Sequence, residues 1–335
     1  MSSQVALLLG LFVFAMLLPF IPGIRELRRP RDTLSLPVDN GYIRNPRHFA
    51  RALRNRLAPQ VATAKGEGEI PLRRHERITI CDLVVVPPGA TAPDLLVVRH
   101  DLDAAAGASI REAWVQGDAY MGAGVRMRGL ACDRSLRLGP KCTVDRWVDS
   151  EHDTHVEPGC DLGMSATAGG VLRISPGCTF RRLWGQPIRT VGGRLSDSEP
   201  EPRRTIENDV VWARDRLSVP PGALVDAGII AYGRLVIGPG AVVRGTVKAY
   251  GELVIHNAAR IEGDVIGRSS VRLGKGSCVD GNVFTERDVY VGADVSVGRE
   301  GAFKTVFAAR HVTLGPHVSI YGWVVAELGG RVEAI

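Results

Sequence analysis

The chain has 335 residues and a formal net charge of +6 at pH 7, with 45% apolar and 6% aromatic residues. This length and composition allow one large or two medium folded units. The six cysteines include no CxxC pair, which argues against a zinc site and against a secreted disulfide framework, and favours reduced thiols in a cytoplasmic compartment.

The first predicted element is an uncharged apolar stretch at residues 5–24. Twenty such residues span the hydrocarbon core of a bilayer as an α-helix, at about 1.5 Å per residue. The alternative is a cleaved signal peptide, but the residues before the stretch carry no Lys or Arg and no clear cleavage site follows. The basic residues directly after it place the remaining chain in the cytoplasm by the positive-inside rule. They are Arg25, Arg28, Arg29 and Arg31. The sequence therefore predicts a transmembrane anchor at residues 1–24 and a single-pass protein of the inner (cytoplasmic) membrane.

The next predicted region, residues 25–77, is a basic juxtamembrane segment. Residues 23–77 hold 13 Lys/Arg and 6 Asp/Glu, so the rest of the chain sums to about −1. Anionic lipids attract such segments by about 1 kcal/mol per basic residue near the surface. Few aromatic residues and no recognised motif argue against a nucleic-acid partner. We therefore expect this segment to contact anionic lipids.

A short amphipathic helix is predicted within that segment. Asn45 and Pro46 are typical of an N-cap followed by proline at the first helical position, and Phe49, Leu53 and Leu57 follow at a spacing of four. The basic side chains around the rest of this helix include Arg47, Arg51 and Arg54. One interpretation is a helix lying on the membrane surface, and the other is a helix that docks its apolar stripe on the end of the folded domain as a cap.

Residues 78–190 carry a degenerate repeat in which inward-facing apolar pairs recur every six residues. It is clearest where Pro140, Pro158 and Pro176 fall eighteen apart, and it slips by about one residue at 119–128. This pattern predicts a first β-solenoid segment. Residues 191–208 are rich in Gly, Ser, Pro and charge, and predict a linker. The sequence leaves open whether the two segments around it form one rod or two units side by side.

The strongest repeat lies in residues 209–335. Gly245, Gly263 and Gly281 are eighteen apart, and each eighteen-residue line holds three apolar pairs such as Leu235 and Ile237. Three short strands per line, with Gly or Pro corners, describe one turn of a triangular β-solenoid. About five extra residues near 299–305 predict a bulge at a corner. The predicted fold class is therefore an all-β solenoid with eighteen-residue turns, preceded by one transmembrane helix.

Few residues in the repeats have a pattern that points to chemistry. Cys142, Cys160 and Cys178 stack at eighteen-residue intervals in a position that favours small inward side chains, which explains them better than a metal or redox site. His152 and His155 lie in the motif EHDTH, where a solvated corner is the better interpretation than a metal site. No nucleophile, base and acid fall together, so we expect no enzyme activity, cofactor or metal.

Residues 216–298, with VIGPGAVVRGTVKAYGELVI at their centre, resemble the bactofilins, a family of polymer-forming bacterial cytoskeletal proteins. The resemblance implies a right-handed triangular β-helix whose subunits join end to end into filaments without nucleotide. It also implies attachment to membrane and recruitment of cell-envelope or cell-shape proteins as partners. The family core is usually one short domain, to which this chain adds a membrane span, a basic segment and a first solenoid segment.

Two other functions remain open. Hexapeptide-repeat acyltransferases also show three six-residue faces and use a catalytic histidine, for which His256 is the nearest candidate. A membrane-tethered solenoid adaptor that does not polymerise is the third hypothesis.

The last turn, residues 312–329, is followed by no predicted helical cap. Uncapped solenoid ends expose strand edges and apolar side chains that favour self-association. The predicted self-association residues are Val312, Leu314, Val318, Ile320 and Val324.

Overall fold

The computed structural model of the chain describes residues 45–64, 66–73, 76–92, 95–191 and 211–333, with the isolated positions Phe12 and Met16. Helix α1 spans His48–Thr63, with Arg47 as its N-cap, so Pro46 precedes the helix instead of opening it. Among the described residues no helix is long and apolar enough to cross a membrane. The span predicted at residues 5–24 lies outside the described part of the chain, except for the two isolated positions.

The first segment contains fourteen strands among the described residues. They are β1 Gly68–Arg73, β2 Glu76–Cys81, β3 Val84–Val86, β4 Leu95–Val98, β5 Leu102–Ala104, β6 Ser109–Val115, β7 Ala119–Met121, β8 Arg126–Cys132, β9 Leu136–Leu138, β10 Thr143–Ser150, β11 Thr154–Val156, β12 Ser165–Ala168, β13 Leu172–Ile174 and β14 Thr179–Thr190. β1 and the start of β2 lie within residues 25–77, which the sequence predicted to be the juxtamembrane segment. There β1 pairs antiparallel with β2 and extends the sheet.

The strands β2 to β14 form columns of parallel pairs. One column runs β2, β4, β6, β8, β10, β12, β14, and a second runs β3, β5, β7, β9, β11, β13, β14. The first residues of β6, β8 and β10 and several isolated bridges complete the third face. Ala119 pairs with Leu136, seventeen residues on, whereas Leu136 pairs with Thr154, eighteen residues on. The slip in the sequence repeat is therefore a shorter turn.

The second segment contains eighteen strands. They are β15 Val211–Ala213, β16 Leu217–Val219, β17 Leu224–Val225, β18 Ile229–Ala231, β19 Leu235–Ile237, β20 Val242–Val243, β21 Val247–Ala249, β22 Leu253–Ile255, β23 Arg260–Ile261, β24 Val265–Gly267, β25 Val271–Leu273, β26 Cys278–Val279, β27 Val283–Thr285, β28 Val289–Val291, β29 Ser296–Val297, β30 Lys304–Ala308, β31 His311–Leu314 and β32 Ser319–Val332. They stack in three parallel columns with an eighteen-residue register, as predicted.

The register also confirms the predicted insertion. Val283 pairs with Val306, twenty-three residues on, so this turn is five residues longer than its neighbours. The extra residues lie between β29 and β30, at a corner, where a loop can leave the stack without breaking the pairing on either side.

The two segments form one rod. A single hydrophobic cluster runs from Val86 to Val332 through both of them. β14 is the last strand of the first segment and β32 is the last strand of the second. The two strands pair antiparallel on all three faces of the solenoid, and we call this contact the seam. Each segment therefore begins at its own end of the rod and finishes at the seam. About 13 turns of about 18 residues, at a strand spacing of about 4.8 Å, give a length of about 62 Å.

Candidate interaction surfaces

Helix α1 covers the outer face of the first segment. Its buried side chains Ala50, Leu53 and Leu57 recur on one side of the helix, which is the spacing that places side chains on one face. They pack against outward-facing side chains of the sheet in a cluster separate from the solenoid interior. The sheet side chains are Ile78, Ile80, Leu95, Val97, Trp114, Ala131 and Trp147. Phe49 is 40% exposed and does not belong to the docked stripe. The helix docks, as one of the two interpretations held, but along the side of the rod and not over its end.

Two arginines of this region bind carboxylates of the sheet. Arg47 Nε lies 2.6 Å from Asp149 Oδ1, and Arg47 Nη1 lies 2.7 Å from Glu151 Oε2. Arg54 Nε donates to Asp133 Oδ1 at 2.7 Å, and its Nη1 donates to Asp149 Oδ2 at 2.8 Å. Asp149 is 1% exposed and also accepts from the Thr167 hydroxyl. The pairs thus hold α1 against the sheet with bidentate, charge-assisted hydrogen bonds.

The pairing shifts the pKa of Arg47, Arg54 and Glu151. Burial disfavours the charged form of the Arg47 guanidinium, but hydrogen bonds and charges of Asp149 and Glu151 outweigh it and raise the pKa of Arg47. Burial alone would also raise the pKa of Glu151, yet the hydrogen bond from Arg47 and the nearby arginine charges lower it. The guanidinium of Arg47 and the carboxylate of Glu151 are therefore held in their charged states by their partners.

The arginines predicted to face lipid are consequently divided among different surroundings. Arg47 and Arg54 bind the sheet, whereas Arg51 is exposed on the outer side of α1. Arg25, Arg28, Arg29 and Arg31 lie outside the described residues. The sequence does not indicate that Asp133, Asp149 and Glu151 bind the helix region. Arg47 and Arg54, their partners, are 79 to 104 residues away in the chain, and no repeat connects the two sets.

The predicted self-association residues lie at or beside the seam. Val312, Leu314, Val318, Ile320 and Val324 are all buried, at 1% exposure or less. β32 pairs with β14 through registers that include Leu183 with Val324 and Ile188 with Ile320. The edge that the sequence placed at a free end is thus occupied by the first segment of the same chain.

An aromatic cluster closes the seam from outside. The Trp184 ring of the first segment lies 5.6 Å from that of Trp323 and 5.5 Å from that of Phe303, both of the second segment. Phe303 comes from the inserted loop before β30. Offset and edge-to-face ring contacts of this kind add stabilisation beyond buried area. The insertion therefore has a structural role in joining the two segments.

Four of the six cysteines are buried in the solenoid interior. Cys142, Cys160 and Cys178 are at most 1% exposed, and each thiol donates to a backbone carbonyl of an earlier turn. The hydrogen bond with Cys142 raises the pKa of Cys160 to about 11, and burial raises the pKa of Cys132 to about 12. These two thiols are neutral at physiological pH, which is the state of a small hydrophobic side chain.

The histidines that the sequence analysis singled out are at corners or on an outer face of the solenoid. His152 and His256 are exposed at corners, and His155 is half-buried on an outer face with its pKa lowered by burial and by Arg137. Within the described ranges no group of three or more His, Cys, Asp or Glu side chains is placed to hold a metal ion.

Sequence reasoning missed a set of polar corner residues. Asp264 Oδ1 accepts the backbone N–H of Asn282 at 2.7 Å, and Asn282 Oδ1 accepts that of Thr305 at 3.0 Å, one turn later in each case. Asp101 and Asp118 do the same in the first segment. The eighteen-residue spacing of Asp264 and Asn282 was the available signal. These carboxylates and amides tie successive turns together at the corners, so they are structural.

The comparisons with known proteins give no further identification. No family model matches the chain, and neither a curated protein nor a solved structure is similar enough to count as a match.

Proposed function

We propose that the chain is a membrane-anchored, bactofilin-like scaffold protein that self-associates without nucleotide and recruits cell-envelope or cell-shape partners. The observation that supports this proposal is the single hydrophobic core that runs through both segments. A rod of stacked turns is stiff and presents the same backbone spacing along its whole length, which suits a platform for other proteins. The resemblance of residues 216–298 to bactofilins supplies the family, and the apolar stretch at residues 5–24 supplies the anchor.

A second candidate is a membrane-tethered adaptor that does not polymerise. The seam favours this adaptor. In bactofilin-like end-to-end contacts the C-terminal turn would bind another subunit, but here that turn is paired with β14 of the same chain. On this hypothesis the rod serves as a spacer between the membrane and its partners.

Fractionation and sedimentation test both parts of the proposal. The full chain, expressed in bacteria, should collect in the membrane fraction, and removal of residues 5–24 should release it to the soluble fraction. Detergent-solubilised protein without nucleotide should sediment faster than a single copy. Retention at the membrane after the deletion would reject these residues as the anchor, and a single-copy sedimentation rate at all concentrations would reject self-association and leave the adaptor.

A further inference from the structure

One side face of the rod continues through the seam and differs between the two segments. From the seam outward, its strands in the first segment are β14, β12, β10, β8, β6, β4 and β2, and in the second segment β32, β30, β27, β24, β21, β18 and β15. Helix α1 lies along this face of the first segment. Arg47 at its start binds Asp149 of β10, and Arg56 pairs with Glu76 of β2. Counted from the seam, α1 thus covers the third to the seventh strand.

The same face of the second segment carries an apolar surface. Its outward-facing side chains, which we call the open stripe, are Ile230, Lys248, Ile266, Phe284 and Phe307. Phe284 is 39% exposed, and the other four are half-buried. Lys248 Nζ lies 5.0 Å from the centre of the Tyr250 ring at the corner, so the lysine turns its charge away from the stripe. A neighbouring face is more polar at the equivalent positions, which hold Val242, Arg260, Cys278 and Ser296.

No element of the described chain covers the open stripe, because α1 is the one helix there and it lies on the first segment. A groove of about 420 Å³ is lined by side chains that include Ile266, Phe284 and Phe307. Contiguous apolar surface at the outside of a protein marks an interaction site. The stripe therefore has an occupant that the described residues do not supply within one chain.

The relief of this face selects the occupant. A helix is about 10–12 Å across, so α1 raises the surface of the first segment by about that height, whereas the open stripe lies at the level of the sheet. A flat bilayer or a bare sheet that rests on α1 does not reach the stripe. A second copy that is turned end for end does reach it, because its own α1 then lies opposite the stripe. Both helices then fill one layer between two rods.

The outer side of α1 suits a second contact. The helical period places Ala52, Asn55 and Pro59 opposite the docked residues, and all three are exposed. A surface helix normally carries its charges on this side, but the arginines of α1 lie at its flanks or face the sheet. Phe49, which is 40% exposed, lies beside this uncharged ridge near the start of the helix. Small uncharged side chains allow a sheet to approach α1 closely from outside.

We infer that the open stripe binds α1 of a second copy, and that α1 of the first copy binds the stripe of the second in return. One two-fold axis that crosses the rod at the seam generates both contacts. Because α1 begins at the third strand from the seam and Phe284 lies on the third strand of the other segment, Phe49 of one copy lies near Phe284 of the other. This inference rests on the proposed function, since it names a surface of self-association. The surface is on the side of the rod and not at a terminal turn.

The size of the contact sets its strength. The 16 residues of α1 form a helix about 24 Å long and about 10 Å wide, so the two contacts together bury about 1,000 Å² over both copies. Specific interfaces begin at about this area. We therefore expect a pair that dissociates on dilution.

Analytical ultracentrifugation of the detergent-solubilised full chain tests the pairing. The unaltered chain should form pairs as its concentration rises. Ile266→Glu places a carboxylate in the stripe and should weaken the association at least tenfold. Val254→Glu is the matched control, because Val254 is also half-buried and outward-facing but belongs to another face of the same segment. Circular dichroism checks that both variants are folded.

Photocrosslinking identifies the surface directly. Phe49 is replaced by the photoreactive p-benzoylphenylalanine, which keeps an aromatic side chain at this position, and crosslinked peptides are identified by mass spectrometry. We expect a crosslink to residues 265–286 of another copy. Within one chain five strand spacings, about 24 Å, separate β10 from β27, which is too far for this crosslink. Ile266→Glu should remove the crosslink and Val254→Glu should keep it.

The outcomes separate this inference from the proposed function. Self-association that persists in Ile266→Glu without a crosslink to the stripe would overturn the choice of surface but keep a self-associating scaffold. A crosslink confined to detergent or lipid would assign the outer side of α1 to the membrane and overturn the pair. Single copies of the unaltered chain at all concentrations would overturn both proposals.

Discussion

At the scale of single residues, the periodic glycines are explained by close approach between turns. A Cβ on Gly263 would lie 2.5 Å from the carbonyl carbon of Gly245, and one on Gly281 would lie 2.3 Å from the carbonyl oxygen of Gly263. Real Cβ atoms do not approach backbone atoms so closely, so the stack at this corner requires glycine.

Gly263→Ala should lower the thermal unfolding midpoint, with a cost of about 1–3 kcal/mol for overpacking. Gly66→Ala, where a Cβ meets nothing within 4 Å, should leave the midpoint unchanged.

A second residue-scale prediction concerns Asp149, which is 1% exposed and binds both Arg47 and Arg54. Asp149→Ala leaves two guanidinium groups without their shared carboxylate in a buried site. Breaking a buried pair in this way costs about 3–5 kcal/mol. Denaturant unfolding followed by circular dichroism measures the loss of unfolding free energy. Asp145→Ala, which removes an exposed acid of the same strand β10, serves as the control. Equal stability of the two variants would contradict the role of Asp149.

The same network predicts a dependence on pH. The pKa of Glu151 is lower in the folded chain than its ordinary value of 4.5. Its stabilisation is therefore fully present above that value and is lost as pH falls through the folded pKa, because the unfolded chain binds the proton first. Tryptophan emission followed from pH 7 to pH 3 should report the loosening of α1 over Trp114 and Trp147. Glu151→Gln should remove the part of this transition that depends on Glu151, and an unchanged curve would contradict the assignment.

At the scale of elements, α1 is a separable part of the fold, since it packs on the outside of a solenoid whose interior is complete without it. Leu53→Asp places a charge in the docked stripe and should free the helix, with a cost of at least about 2 kcal/mol from the lost leucine alone. We expect a red shift of tryptophan emission and faster trypsin cleavage within α1. Ala52→Asp, on the exposed side of the same helix, should show neither effect.

Much of the fold at this scale could be predicted from the sequence, because each solenoid turn repeats the environment of the turn before it. The pairs Leu235 and Ile237 are buried as predicted, and so are the pairs one turn later, Leu253 and Ile255. The docking of α1 could be stated only as one of two interpretations, since an apolar stripe between arginines suits both a membrane surface and an acidic sheet. Nothing periodic marks Asp149 as the partner of Arg47.

At the scale of the whole molecule, the seam decides what the C-terminal turn can do. A sequence repeat reports the contacts between successive turns of one segment. β14 and β32 belong to different segments, and they are neighbours only because the last turn of the second segment meets the last turn of the first end to end. The sequence therefore could not show that the last turn, predicted to associate with other copies, pairs within the chain. The aromatic contact of Trp184 with Trp323 was equally invisible, because the two belong to different repeats.

Opening the seam is a testable consequence. Ile320 is 0% exposed and pairs with Ile188 across the seam. Ile320→Asp should separate the two segments, since a buried unpaired carboxylate adds a desolvation cost to the lost apolar contacts. Small-angle X-ray scattering should then show a larger maximum dimension than that of the unaltered chain. The neighbouring outward-facing variant Tyr321→Asp should keep the original dimension, and equal dimensions for both variants would show that the seam holds without Ile320.

The two strands of the antiparallel seam are synthesised at different times. Arg331 pairs with Thr179 but follows it by 152 residues, so β14 leaves the ribosome long before its partner exists. At about 5–20 residues per second this interval lasts about 8–30 s. During that time a nascent first segment exposes a strand edge that fits the last turn of any finished second segment, including one from a neighbouring ribosome. Chains translated close together can therefore exchange halves, and the fidelity of the fold depends on how quickly each chain closes on itself.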